Sequence, residues 1–343
     1  MRWASQEVEQ DGSGRLPGVG DAVVRRFNAP EALDMRFHEV RTKSALNHVP
    51  PGTSRVPFEW TINPYRGCTH ACVYCFARPT HEYLELDAER DFEREIIVKV
   101  NVPEVLRKEL ARPSWRGASI ALGTNTDPYQ WVEGRYKLMR GIWEVMRDFR
   151  NPCSILTKSP LLLRDLDLLQ EIAAVADVSA CMSVPTLDEK AWRATEPHTP
   201  NPKARLDAVA KLNAAGIPCG VLIAPLMPGV NDAPEQVEAI VDAATEANAT
   251  YIGGQTLFLR GAVRDIYFDW LRDHRPDLIP RYERLYAKGA YVSQADKRRI
   301  ELAAGAPWAL RTYPTRDRHR GEAARRAAAS APRAPRVVQG SLF

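Results

Sequence analysis

The chain has 343 residues, 45% hydrophobic and 26% charged, which suffices for one large or two ordinary cores and excludes a wholly disordered chain. The net charge of +4 is unevenly placed: from Arg311 onward eight arginines face only Asp317 and Glu322, a net +6, so the body carries −2. No stretch approaches the roughly 18 uninterrupted apolar residues of a membrane span, and the polar opening MRWASQEVEQDGSG lacks a signal-peptide core, so a cytoplasmic location is expected.

Residues 1–54 mix Gly and Pro without a long periodic segment and read as an N-terminal extension wrapped on the core. From residue 55 strands and helices alternate. Strands are expected at 58–63, 118–123, 153–157, 177–184, 217–226 and 250–257. Helices are expected between them at 102–112, with Pro103 in the first turn, then at 134–149, 163–176, 203–215 and 234–248. The strands recur about every 30 residues, as βαβ units do, and they look buried on both faces.

Six such units predict an α/β fold, a partial (β/α)6 TIM-like barrel forming a core domain over 55–260, although periodicity alone does not separate it from a three-layer sandwich. Helices at 263–274, 280–288 and 293–305, within a region spanning 261–312, are expected to brace the barrel. Residues 313–343 are rich in Ala, Arg and Pro and are expected to form a disordered basic tail. Such an arm attracts polyanions or is simply solvated.

Six cysteines in a chain of this kind point to metal or catalytic use more than to disulfides. Three of them, Cys68, Cys72 and Cys75, fall within RGCTHACVYCFAR. Zinc would be satisfied by adding His70 or His81. An iron–sulfur cluster is the other reading. The loop follows the first strand of a long βα array instead of forming a compact pair of CxxC hairpins, and Val73, Tyr74 and Phe76 suit a dry pocket. Three cysteines would leave one iron of a [4Fe–4S] cluster without a protein ligand, as catalytic zinc sites keep one position open.

The spacing Cys68-x3-Cys72-x2-Cys75, with an aromatic residue before the last cysteine, resembles the radical S-adenosylmethionine (SAM) signature. NPYRGCTHACVYCFARPTHEYL, LGTNTDPYQ, ILTKS and APLMPGVND resemble the spore photoproduct lyase-like, or DNA repair photolyase-like, branch over about residues 55–260. The resemblance implies a [4Fe–4S] cluster on Cys68, Cys72 and Cys75, with SAM chelating the fourth iron. It implies reductive cleavage of SAM to methionine and a 5′-deoxyadenosyl radical that abstracts hydrogen from substrate, fed by an electron donor such as flavodoxin or ferredoxin. It also assigns Thr126 and Asp127 to the amino end of SAM, Lys158 to its carboxylate, Ser183 to a further contact, and Tyr74 to the cofactor's side with Phe76 nearby.

Read for themselves, these residues sit at predicted strand C-termini, where barrel active sites lie, although Asp127-Pro128 also reads as a plain turn. Tyr129, Gln130 and Glu133 are expected on the substrate side. The branch carries a hydrogen-donating cysteine at the position that falls on Thr124 here, and a hydroxyl O–H bond is too strong for that step. Cys181, two residues before Ser183 and so on the same strand face, is the candidate donor; core packing, as for Cys153 and Cys219, is its plainer reading.

The chain ends in Gln339-Gly340-Ser341-Leu342-Phe343, which resembles the motif by which bacterial repair proteins dock on the DNA polymerase sliding clamp. Gln339 would hydrogen-bond, while Leu342 and Phe343 would fill an apolar groove. With the basic arm, this makes nucleic acid the expected substrate. The alternatives are a zinc-bearing nucleic-acid adapter without catalysis, or SAM-radical chemistry on a protein or small molecule.

Overall fold

The computed structural model describes residues 8–17, 20–32, 34–50 and 58–303, so the basic tail with Gln339, Leu342 and Phe343 lies outside the described residues. The strands are β1 (Val8–Leu16), β2 (Gly20–Phe27), β3 (Arg36–Val40), β4 (Leu46–His48), β5 (Trp60–Ile62) and β6 (Tyr65–Arg66). They continue with β7 (Glu95–Lys99), β8 (Ile120–Leu122), β9 (Cys153–Thr157), β10 (Val178–Ser183), β11 (Cys219–Leu226) and β12 (Ile252–Thr256).

Six of these, β5, β8, β9, β10, β11 and β12, pair in sequence order and all in parallel. An order without a reversal is that of a barrel wall, not of a doubly wound sheet. β4 adds an antiparallel edge beside β5, and among the described strands β12 does not pair back onto it, so the barrel is partial. The expected α/β architecture and all six parallel strands are present, each within a few residues of its expected bounds.

Burial along the strands separates their two faces. In β9, Cys153, Ile155 and Thr157 are buried while Ser154 and Leu156 are half-buried; in β10, Ser179 is exposed and Cys181 half-buried between buried neighbours. The buried set packs with the apolar residues of the helices Leu138–Asp148, Leu166–Ala173, Pro202–Ala214 and Pro234–Glu246. The other, concave face stays open at Ser154, Leu156, Cys181 and Leu222. Tyr251 lies across Gly220 and Gly253 on this face, with its hydroxyl 1.9 Å from where a Gly253 Cβ would stand.

The N-terminal region is more ordered than its composition suggests. β1, β2, β3, β7 and β6 form a second sheet in that order, with β3 and β7 parallel and the other pairs antiparallel. Phe27, Phe37, Tyr65, Ile96 and Val98 form a small core of their own on one of its faces. Its first strands, VEQDGSGRL and GDAVVRRF, are too polar to show a strand pattern. The helix expected over 134–149 is broken into Glu133–Tyr136 and Leu138–Asp148, with Lys137 between them at φ +52°. The break has a local cause: the Glu133 carboxylate accepts from Leu138 N and Met139 N at 3.0 and 3.1 Å and caps the second segment.

Gly123, at the end of β8, has φ +79°, and a Cβ there would lie 1.8 Å from the Leu156 carbonyl oxygen, whereas Gly117, at φ +72°, has open space around it. Gly123→Ala should therefore cost about 3 kcal/mol or more, combining backbone strain with a clash against rigid backbone. Gly117→Ala should cost only the strain, about 1–2 kcal/mol. Urea unfolding of the two variants measures the difference; equal losses would contradict the close β8–β9 contact.

Candidate active site

The three cysteines occupy the loop after β6, at the C-terminal end of the parallel strands. Cys68 and Cys72 are buried, Cys75 is half-buried, and all three are free thiols. The loop is wound by short turns, Ala71 N to Cys68 O at 3.3 Å, Cys75 N to Cys72 O at 3.2 Å and Arg78 N to Cys75 O at 3.3 Å. Gly67 at its start has φ +84°, and a Cβ there would press on Ile96 Cδ1 and Phe92 O, each 2.9 Å away. Backbone N–H groups of His70 and, from the segment after β8, Asp127 favour the Cys68 thiolate, and those of Ala77 and Arg78 favour the Cys75 thiolate.

Arg78, in the same loop, is fully buried and uses its guanidinium as a clamp. It donates to Cys72 O at 3.0 Å, Ala71 O at 3.1 Å, Ala88 O at 3.2 Å and Glu89 O at 2.7 Å, and it pairs with Glu93. Phe92 lies under its guanidinium, 5.3 Å from ring centroid to Cζ. Gln130, also fully buried, ties the same loop to the end of β8: its Oε1 accepts from Thr69 N at 2.9 Å, and its Nε2 donates to Gly67 O at 3.1 Å.

Burial pushes the Cys68 thiol up to about 12, with Asp127 and Cys75 adding to it, and burial likewise raises Cys72 and Cys75. Cys72 also senses both other thiols, so the three form one electrostatic group. Among the described residues no three His, Cys, Asp or Glu side chains converge tightly enough to hold a single metal ion. A four-iron cluster takes each thiolate at its own iron and needs less convergence. Thr69 Oγ1 in this loop, and Thr256 Oγ1 at the end of β12, are buried without a hydrogen-bond partner among the described residues. Three free thiols, inward N–H groups and an orphaned hydroxyl fit an iron–sulfur cluster.

The two histidines considered for zinc are turned elsewhere. His70 Nδ1 lies 3.4 Å from Asp127 Oδ2, and His81 Nε2 lies 2.9 Å from the Glu95 carbonyl oxygen.

Asp127 is more heavily engaged than a free SAM contact would be. Its carboxylate accepts from Thr157 Oγ1 at 2.6 Å, Lys158 N at 2.7 Å and Tyr129 N at 2.9 Å, besides facing His70. It therefore braces the ends of β8 and β9 against the cysteine loop. Thr126 Oγ1 donates to Gly67 O at 2.6 Å and adds a second tie to that loop.

Lys158 and Ser183 meet on the concave side. Lys158 Nζ donates to Ser183 Oγ at 2.7 Å, lies 3.5 Å from Glu196 Oε1 and stands 5.7 Å from the centroid of the Tyr74 ring. Tyr74 in turn donates to Glu196. Phe76 is 57% exposed. Cys181 is half-buried near Lys158 and Tyr251, and burial pushes its thiol up to about 12.

Glu196 and Arg205 were not singled out from the sequence, yet they join the site's parts. Both are fully buried, and Arg205 Nη2 donates to Glu196 Oε2 at 2.6 Å. Arg205 also donates to Ser183 O at 2.9 Å, Pro200 O at 2.9 Å and Thr199 Oγ1 at 2.6 Å. The segment TEPHTPNP, a prolyl-rich run carrying a lone acid at the end of the helix Glu189–Thr195, was the available signal.

Tyr129, Gln130 and Glu133 do not line a substrate surface; all three are buried. Tyr129 donates to Asp165 at 2.8 Å, and Arg164 bridges Asp165 and Glu133 at 2.7 and 2.6 Å. Tyr129 and Glu133 thus belong to a satisfied polar network behind the strands, while Gln130 spends its amide on the cysteine loop.

Burial alone would raise Glu196; the Arg205 and Lys158 cations, with hydrogen bonds from Arg205 and Tyr74, overcome it and bring the carboxyl down to about 2 from 4.5. A depressed carboxylate stabilises the fold fully above its unfolded value and loses that contribution as pH falls through its folded value. Glu196→Gln should cost about 3–5 kcal/mol at pH 7, because Arg205 is left buried and unpaired. The gap between wild type and variant in urea unfolding should shrink as pH falls from about 4.5 towards 2. A gap that does not change over that range would contradict the ion pair.

A family model described as Radical SAM superfamily matches residues 62–256. An uncharacterized protein of Mycobacterium tuberculosis is 46% identical over 297 residues, covering 85% of this chain and 87% of that one. One from Methanocaldococcus jannaschii is 28% identical over 195 residues, covering 57% and 69%. Among solved structures, spore photoproduct lyase complexed with dinucleoside spore photoproduct superposes with a TM-score of 0.60 at 14% identity, covering 81% of this chain and 80% of that one. A mutant of that lyase with bound AdoMet gives 0.59 at 15% identity, covering 80% and 79%.

Proposed function

The chain belongs to the radical SAM superfamily, and on that footing we propose that it is an enzyme that binds a [4Fe–4S] cluster through Cys68, Cys72 and Cys75 and uses SAM to abstract hydrogen from a nucleic-acid substrate. The cluster with SAM supplies, when bound and reduced, a 5′-deoxyadenosyl radical. The observation that carries the reading is the tie between the cysteine loop and the ends of the parallel strands: Thr126 to Gly67, Asp127 to His70, and Lys158 over Tyr74.

This chain's residues divide the work. Arg78, Gln130 and Thr126 hold the loop carbonyls away from the thiols. Lys158, with only 15% of its side chain exposed, brings a cation to the concave face, where the SAM carboxylate is its natural partner. Ser183 and Glu196 fix its position. Tyr74 closes the loop side of the pocket against water. Asp127 and Thr126 act on SAM through the loop they position.

Cys181 opens onto the same concave face and is the residue proposed to return a hydrogen atom to the substrate radical. Its S–H bond breaks homolytically, the substrate C–H bond forms, and a sulfur-centred radical is left at Sγ. Thr124 stands where the lyase-like branch would place its donor. Nucleic acid as substrate is supported by the shared fold of spore photoproduct lyase, whose structure holds a dinucleoside spore photoproduct, and by the basic tail. A low-potential carrier such as flavodoxin or ferredoxin would supply the electron.

Under anaerobic reconstitution with iron, sulfide and a reductant, wild type should convert SAM to 5′-deoxyadenosine and Cys72→Ala should form none. Lys158→Met should still assemble the cluster but need about tenfold more SAM for half-maximal rate. Zinc retained in place of iron, or 5′-deoxyadenosine from Cys72→Ala, would contradict the assignment. Cys181→Ala should leave both cluster assembly and 5′-deoxyadenosine formation unchanged; loss of the cluster in that variant would assign Cys181 to the scaffold instead.

A further inference from the structure

Arg66 and Lys99 lie on neighbouring antiparallel strands, β6 and β7, immediately before the cysteine loop. Arg66 is opposite Ile97, and Lys99 N donates to Pro64 O at 3.0 Å, so Lys99 stands one pleat along from Arg66's partner. Residues opposite each other, and residues two apart on a strand, share a face, so both side chains project from the same side of the sheet.

Among the described residues neither cation is paired with an acid. The Arg66 guanidinium is half-buried and has no hydrogen-bond or ion-pair partner among the described residues. Lys99 is largely withdrawn from water, and its ammonium donates to the Asn63 carbonyl at 2.9 Å. Glu95, the acid on the same face, is taken by Arg36 at 2.8 Å and His38 at 2.7 Å. Burial, with Arg66 adding to it, pushes Lys99 down to about 8. Two desolvated like charges side by side are unfavourable unless an anion joins them.

The pair is also joined to the barrel mouth. Asn63 follows β5, and its Oδ1 accepts from Asn125 N, at the end of β8, at 3.2 Å. Arg66 is separated from Cys68 by Gly67 alone. A planar guanidinium fork and a compact ammonium on one face of the sheet suit a phosphate oxygen set.

We propose that Arg66 and Lys99 form a phosphate subsite at the lip of the active site, which holds a phosphodiester of the nucleic-acid strand while one of its bases reaches the concave face. The subsite rests on the reading of the substrate as nucleic acid. It positions the strand and carries no sequence information.

Two measurements on the full-length, reconstituted protein test it. In fluorescence anisotropy with a labelled single-stranded 20-mer DNA, Arg66→Gln and Lys99→Gln should each weaken binding about tenfold regardless of sequence. Each should also lower the slope of log K against log salt by roughly 0.7. In thermal unfolding, inorganic phosphate should raise the melting temperature of wild type above that in chloride at equal ionic strength, and this rise should vanish in both variants.

If phosphate protects wild type alone but no oligonucleotide binds, the anion subsite stands and the nucleic-acid substrate falls. If oligonucleotide binding and phosphate protection are unchanged in both variants, the subsite is overturned and the substrate reading survives. Intact phosphate and DNA effects together with a raised SAM requirement would assign the pair to the SAM carboxylate, which also overturns it.

Discussion

The buried guanidinium of Arg78 is the constraint from which the rest of the site follows. Three thiols near one another need donors turned towards their sulfurs, so the carbonyls of the same loop must find partners elsewhere. Arg78 collects two of them, from Ala71 and Cys72, together with the Ala88 and Glu89 carbonyls, and its charge is matched by Glu93. Lysine would not serve: a point charge with three donors cannot span a fork of carbonyls set in fixed directions. With those carbonyls occupied, backbone N–H groups of Ala77 and Arg78 favour the Cys75 thiolate, and those of His70 and Asp127 favour the Cys68 thiolate.

A second buried pair connects that loop to the far strands. Glu196 accepts from Tyr74 in the loop, faces Lys158 from β9's end, and is neutralised by Arg205, which also holds the Ser183 carbonyl of β10. One carboxylate thus sets Tyr74, Lys158 and Ser183 relative to one another. Buried ion pairs are poor sources of net stability but good devices for fixing geometry. Here the geometry fixed is a cation above an aromatic ring beside three thiols, on the open side of a half-barrel.

The parallel strands were legible in the sequence because one buried face and a concave face that is still largely apolar leave short apolar runs. The cysteine spacing, Lys158 and Ser183 were legible because they stand at strand ends in a repeating array. The N-terminal sheet was not: β6 has two residues and β1 is mostly polar, so neither carries a period. The break at Lys137 was hidden because the second helix segment is capped by the Glu133 side chain of the first segment, which follows no common capping pattern. Glu196 and Arg205 were hidden for a related reason, since an acid and a base nine residues apart across a prolyl turn show their pairing only once folded. Tyr129, Gln130 and Glu133 look functional by type and position, and they are structural because the space around them is already filled with partners.

Three cysteines holding a cluster would leave one iron for SAM. Electron–nuclear double resonance on the reduced, reconstituted protein, with SAM labelled with 17O in its carboxylate and 15N in its amino group, tests it most directly. Both labels should couple to the cluster in wild type, and neither should when the cluster is absent. A fully assembled cluster whose spectrum is unchanged by labelled SAM would contradict it.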